Sequence, residues 1–194
     1  MFVAVATVFL WSSNALSNEV YVEQVGSSSS VTILQEGIDN KIGTSITPAF
    51  IGGGSNTVTV EQIGSTNTMQ FLVNGASTSM TLSTNGNGND QTITCGSSVS
   101  ASCSGSAITQ TIQGDSNVTT VNLTSGANHT STMSIIGDGN HVTHSSTSTG
   151  TTSAVITVSG NTNTIGVTQS GTLTQMVNVS STGNGNNISI TQSN

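Results

Sequence analysis

Acid–base, metal and thiol chemistry in this chain would fall to few residues. Of 194 residues, eight are Asp or Glu, three are His, two are Cys and one is basic. The acids are Glu19, Glu23, Glu36, Asp39, Glu61, Asp90, Asp115 and Asp138. Glu23 and Glu61 alternate with apolar neighbours and read as outward positions. Asp39, Asp115 and Asp138 fall in Gly- and Asn-rich turns, where Asx side chains serve the backbone. His129, His141 and His144 are close in sequence, but strand alternation turns His144 inward and His141 outward, which argues against a shared metal or pH-sensing site. Cys95 and Cys103 have no clustered His and make no zinc site. The Gly-rich turns lack the helix and Lys of a phosphate cradle, and the Asp-bearing nonapeptide of calcium-binding β-rolls. The chain therefore does not read as an enzyme, with no catalytic residue, no metal ligand and no cofactor expected. Lys41, the single cation in a net charge of −7, cannot build a phosphate-binding track. That excludes nucleic acid as a partner and disfavours anionic membrane surfaces.

The side chains that do recur at fixed spacing are amides. The stretch SVTILQEGIDN, residues 30–40, runs Val31, Ile33, Gln35 on one face and then Gly37 and Asn40. Anchoring each apolar alternation on its preceding residue gives units at Asn18, Ser29, Asn40, Asn56, Asn67, Thr78, Asn89, Ser106, Asn117, His129, Asn140, Thr152, Asn163, Gln175 and Asn186. The second and fourth residues after each anchor are mainly apolar, for example Val31/Ile33, Met80/Leu82 and Ile188/Ile190. Alternation predicts a strand of about seven residues per unit, then a turn.

Irregularities in the spacing define the larger repeat. Every step from an even unit to the next odd one has the same length. All extra residues fall in odd-to-even steps. The odd anchors are all Asn: Asn18, Asn40, Asn67, Asn89, Asn117, Asn140, Asn163 and Asn186. Each even unit ends in a turn glycine: Gly37, Gly64, Gly86, Gly114, Gly137, Gly160 and Gly183. The turns between read GIDN, GSTN, GNGN, GDSN, GDGN, GNTN and GNGN. The repeat is thus two strands, with one strict edge and one permissive edge. That predicts an all-β fold, a flattened β-solenoid of about 22-residue coils. Asn on the strict edge would form an amide ladder from coil to coil. Gln24, Gln35, Gln62, Gln169 and Gln192, six residues after their anchors, would pair inside the coil. Elsewhere that position is mostly apolar or small, so these Gln residues sit toward the chain ends and the middle is expected to be more apolar there.

Composition agrees with this architecture. Charged residues are 5% and Pro48 is the only proline. Val, Ile and Thr are plentiful, which favours strands over disorder. The opening MFVAVATVFLWSSNALS, residues 1–17, reads as the apolar core and small-residue cleavage zone of a secretory signal, although it lacks a basic start. The other reading is a buried first strand; the apolar run is too short for a membrane span, so no membrane insertion is expected. Residues 18–194 would then be the solenoid, with larger insertions at 47–55 and 96–105 protruding from the permissive edge. In a secreted protein Cys95 and Cys103 would close a disulfide, with free thiols the alternative.

Ser29-x5-Gln35-x-Gly37-x-x-Asn40 resembles the curlin repeat, whose pattern runs Ser, five residues, Gln, x, Gly, x, Gly, Asn, with a second Gln in the following strand. Asn56-x5-Gln62-x-Gly64-x-x-Asn67 shares the spacing, as do Asn163…Gln169-x-Gly171 and Asn186…Gln192. The resemblance covers residues 18–194. It implies a secreted, extracellular subunit that polymerises head-to-tail into amyloid-like fibres of a biofilm matrix, with itself as main partner and a nucleator or secretion machinery beside it. The competing reading is a β-solenoid binder that does not polymerise: an adhesin, a phage-type fibre module or an ice-binding protein. Ice binding asks for regular outward Thr ladders, and the outward positions taken together are mixed.

Overall fold

The computed structural model describes residues 5–11, 18–20, 22–23, 25–26, 28–43, 49–50, 52–72, 74, 77–95, 105, 107–124 and 128–194. Every regular element among them is a strand, and every strand pairing is parallel. The fold is a flattened β-solenoid. Even units build one sheet: Ser30–Ile38, Thr57–Thr59 with Gln62–Ser65, Ser79–Thr81 with Thr84–Asn85, Ala107–Gln113, His129–Ile136, Thr152–Ser159 and Gln175–Thr182. Odd units build an eight-stranded second sheet: Glu19–Val20, Lys41–Ile42, Thr68–Gln70, Asp90–Cys95, Val118–Leu123, His141–Ser146, Thr164–Ser170 and Asn187–Ser193.

Register is set by alternation. Met133 stacks on Ile156 and Ile156 on Val179, while Val121 stacks on His144 and His144 on Val167. A one-residue slip would turn each inward set outward, so the thin core fixes the pairing. That core is a double row of Val, Ile, Leu and Met between the sheets, and Met69, Val121, Ile135 and Val142 are wholly buried. The seven-residue strand expected per unit holds in the later coils. In the second and third rungs of the first sheet it is broken in two, at Val60–Glu61 and at Leu82–Ser83.

One segment departs from the expected layout, and the opening stretch contributes a strand. Ala49 and Phe50, expected in a protruding loop over 47–55, instead continue the wall of the solenoid: Ala49–Phe50 pairs with Val22–Glu23, Phe50 bridges to Leu72, and Ala49 is fully buried. The extra length therefore interrupts the strand after Gly43 and does not all follow it. Val5–Trp11, within the leader-like stretch, forms a strand on Ser30–Ile38 in unbroken register from Val5 on Ser30 to Trp11 on Glu36. Of the other insertion, only Gly105 is described; Cys103 lies outside the described residues, as does Gln24.

Candidate functional site: the amide columns and the ends of the stack

The eight odd-unit Asn residues stand in one column on the strict edge. At every step from Asn18 to Asn186 the backbone N–H of one Asn donates to the Oδ1 of the Asn a coil earlier, at 2.9–3.1 Å. Between Asn40 and Asn163 the Nδ2 group donates to that same oxygen, as from Asn117 to Asn89 at 3.1 Å. From Asn18 to Asn140, Nδ2 also donates to the carbonyl of the next coil's turn glycine: Asn67 to Gly86 at 2.8 Å, Asn89 to Gly114 at 2.8 Å. Steps between Asn neighbours run from 22 to 28 residues, so insertions elsewhere leave the column intact. Asn40, Asn67 and Asn117 are fully buried, where an unmade bond would cost about 1–3 kcal/mol.

The glycines explain why this edge is strict. Gly37, Gly64, Gly86, Gly114, Gly137, Gly160 and Gly183 all have φ between 107° and 146°. A Cβ on Gly114 would stand 2.1 Å from the carbonyl oxygen of Gly137, and Gly37, Gly64, Gly86, Gly137 and Gly160 are blocked in the same way by the next coil's glycine. No side chain fits between turns that close.

A second Asx column runs outside the first. Asn87 Oδ1 accepts from the Ser65 N–H at 2.9 Å, Asp115 Oδ1 from Asn87 at 2.7 Å, and Asp138 Oδ1 from Asp115 at 2.8 Å. Asn161 and Asn184 continue it in the same direction. Its signal was present as the recurrent Asn or Asp after the turn glycine.

The inward glutamines pair at the two ends. Gln62 Nε2 donates to Gln35 Oε1 at 2.6 Å, and Gln169 Nε2 to Gln192 Oε1 at 3.0 Å. At the sixth position after the anchor the middle of the stack is more apolar, with Ile112, Leu123, Ile135 and Val158 buried, but amides enter the core there at other positions. Gln110 Nε2 donates to Gln91 Oε1 at 2.7 Å, and Gln91 Nε2 donates to Thr84 Oγ1, all three residues buried. Further along, His144 is fully buried; its Nε2 donates to Gln169 Oε1 at 3.0 Å, and its Nδ1 accepts from the Ser131 hydroxyl at 2.9 Å. His129 Nδ1 meets Thr152 and Ser146 hydroxyls in the same region. Burial holds the His144 pKa below its ordinary 6.5, and His129 nearby adds to the lowering. His141 is exposed on the outer face.

The outer face of the first sheet carries an ordered column of its own: Thr32, Thr59, Thr81, Thr109 and Thr132 stack on one another by register. Val155 and Asn178 follow. Mixing the two sheets concealed it, since Gln70 and Gly166 take the same place on the second sheet.

Among the described residues no group of His, Cys, Asp and Glu could hold a metal ion, and no helix is long and apolar enough to cross a membrane. The fold and its columns define a two-strand-per-coil β-solenoid. Comparison with protein-family models, with curated proteins and with solved structures finds no match.

Proposed function

We propose that this chain is a secreted structural subunit that assembles end to end, by parallel strand stacking, into extracellular amyloid-like fibres of the curli type, serving a matrix and adhesion. One observation carries the reading: along the strict edge each coil's Asn offers the next the same Oδ1 acceptor and takes it with the same backbone N–H. A column of identical amides has no built-in last member. At the rung Asn187–Ser193, Ile188 and Ile190 are only half-buried, while Ile165 and Val167, one coil in, are each 1% exposed. A strand edge of that kind is a template for pairing, and a head-to-tail contact between unlike ends does not close. Purified chain at micromolar concentration should form thioflavin-binding filaments whose aligned fibres diffract at about 4.8 Å along the fibre axis. A chain that stays monomeric through prolonged seeded incubation overturns the reading.

The Thr column favours a second reading, a monomeric binder of an ordered surface such as ice. Hydroxyls there repeat at strand spacing on the outer face of the first sheet. Thermal hysteresis from monomer, lost on Thr81→Tyr and Thr109→Tyr, would support it in place of assembly.

A further inference from the structure

The two outer faces of the solenoid are not alike. Among the described residues, the exposed large apolar side chains Leu34, Ile136, Val155 and Met176 all point outward from the first sheet, while Val25 and Leu173 lie outside the strands. None stands on the outer face of the second sheet. Charge is distributed the other way. From Ser79 onward the first sheet has five rungs: Ser79–Thr81 with Thr84–Asn85, Ala107–Gln113, His129–Ile136, Thr152–Ser159 and Gln175–Thr182. Their outward residues include no acid, Lys or His, and His129 is buried inside. Over the same stretch Asp90 and His141 are exposed on the second sheet, and Asp115 and Asp138 occupy strict-edge turns. In a chain of net charge −7, the first-sheet face therefore brings no acids together when it meets its own copy.

We propose that two copies pair side by side through this face, first sheet on first sheet, with the second sheets left outside. Thr109 stacks on Thr132, Thr111 on Ser134 and Ser134 on Thr157. Such rows repeat at about 4.8 Å, and a partner stays in step with them over five rungs if its own rows have that spacing, as an identical face does. Short side chains of identical sheets interdigitate in dry contacts. A hydroxyl both donates and accepts, so a face of hydroxyls can satisfy a copy of itself, which a face of carboxylates cannot. Five rungs of strands about seven residues long cover roughly 550 Å² per copy, or roughly 1,100 Å² for the pair, the size of a weak specific interface. The contact uses the same patch on both copies and so closes at two. It goes beyond the assembly reading and needs none of its end-to-end contacts.

Charges placed on either face of the full chain test the pairing. Thr109→Glu with Thr157→Glu puts them on the first sheet, and Thr120→Glu with Thr168→Glu puts them at equivalent places on the second; Thr109, Thr157 and Thr168 are exposed and Thr120 is half-buried. In sedimentation equilibrium the native chain forms pairs, and any filaments it builds have the mass per length of two stacks in scanning transmission electron microscopy. The first-sheet variant raises the dissociation constant of the pair at least tenfold and halves the mass per length. The second-sheet variant stays within twofold on both. Circular dichroism checks that each variant folds, and Thr157→Glu alone replaces the first-sheet variant if that one does not. A native chain that stays single in solution and builds filaments one stack thick overturns the pairing and leaves assembly standing. A pair that the first-sheet charges leave intact, or that both variants weaken alike, also overturns it. Pairs that never build filaments keep this face and remove assembly.

Discussion

Single side chains carry unequal weight because the columns differ in burial. Asn117 accepts from Asn140 and donates to Asn89 and Gly137, all at or inside the wall. Asn117→Ala leaves at least two groups unmet, the Asn140 N–H and the Gly137 carbonyl. It should destabilise by about 2–4 kcal/mol in urea unfolding followed by circular dichroism. Asn161 holds the equivalent place in the exposed outer column, and Asn161→Ala should stay within about 0.5 kcal/mol. His144 gives the fold a pH dependence with a defined sign. Its folded pKa lies below 6.5, so the unfolded chain takes up a proton first on acidification. Stability from this site is complete above pH 6.5 and is lost as pH falls through the folded value. Urea midpoints of the native chain should therefore drop between pH 7.5 and pH 5, and His144→Gln, which keeps hydrogen-bonding capacity towards Ser131 and Gln169, should flatten that drop.

Turns and strands show what the sequence carries and what it hides. The strict edge was legible because insertions avoid it, and the reason is steric: six of its turn glycines each lie against the next coil's glycine. Gly114→Ala combines a φ of 131° with a Cβ 2.1 Å from a carbonyl oxygen, and should destabilise by about 2–5 kcal/mol or prevent folding. Gly166 lies in a strand with nothing within 4 Å of an added Cβ, so Gly166→Ala should stabilise by about 0.5–1 kcal/mol. Thermal melts of the two variants separate turn glycine from strand glycine. The buried Gln91–Gln110 and His144–Ser131 bonds were not legible. Their partners sit on opposite sheets, and superposing the units position by position shows which residues share a face but not which residues meet across the core. Ala49 was hidden for a different reason. The insertion interrupts its strand, so counting forward from Asn40 gives the wrong residue for the place Ala49 fills.

Over the whole molecule, the remaining question is what Val5–Trp11 contributes. The same seventeen residues read as an export leader or as a first strand, and the strand pairs seven residues in register with Ser30–Glu36. It covers the edge above Val31 and Ile33, which are 4% and 1% exposed. Gln35 Oε1 is already taken by Gln62, and Gln35 Nε2 is buried without an acceptor; Leu10, at its register position, has none to offer. The strand therefore extends the sheet by backbone pairing, with no amide continuity from Gln35. A protease site placed within residues 12–17 allows the folded chain to be cut and the segment washed away. The cut chain should unfold at lower urea, and amide exchange should rise in Ser30–Ile38 while that in Thr152–Ser159 is unchanged, because a solenoid couples mainly neighbouring coils. Equal midpoints before and after the cut, with Ser30–Ile38 equally protected, would show that the segment adds nothing to the stack.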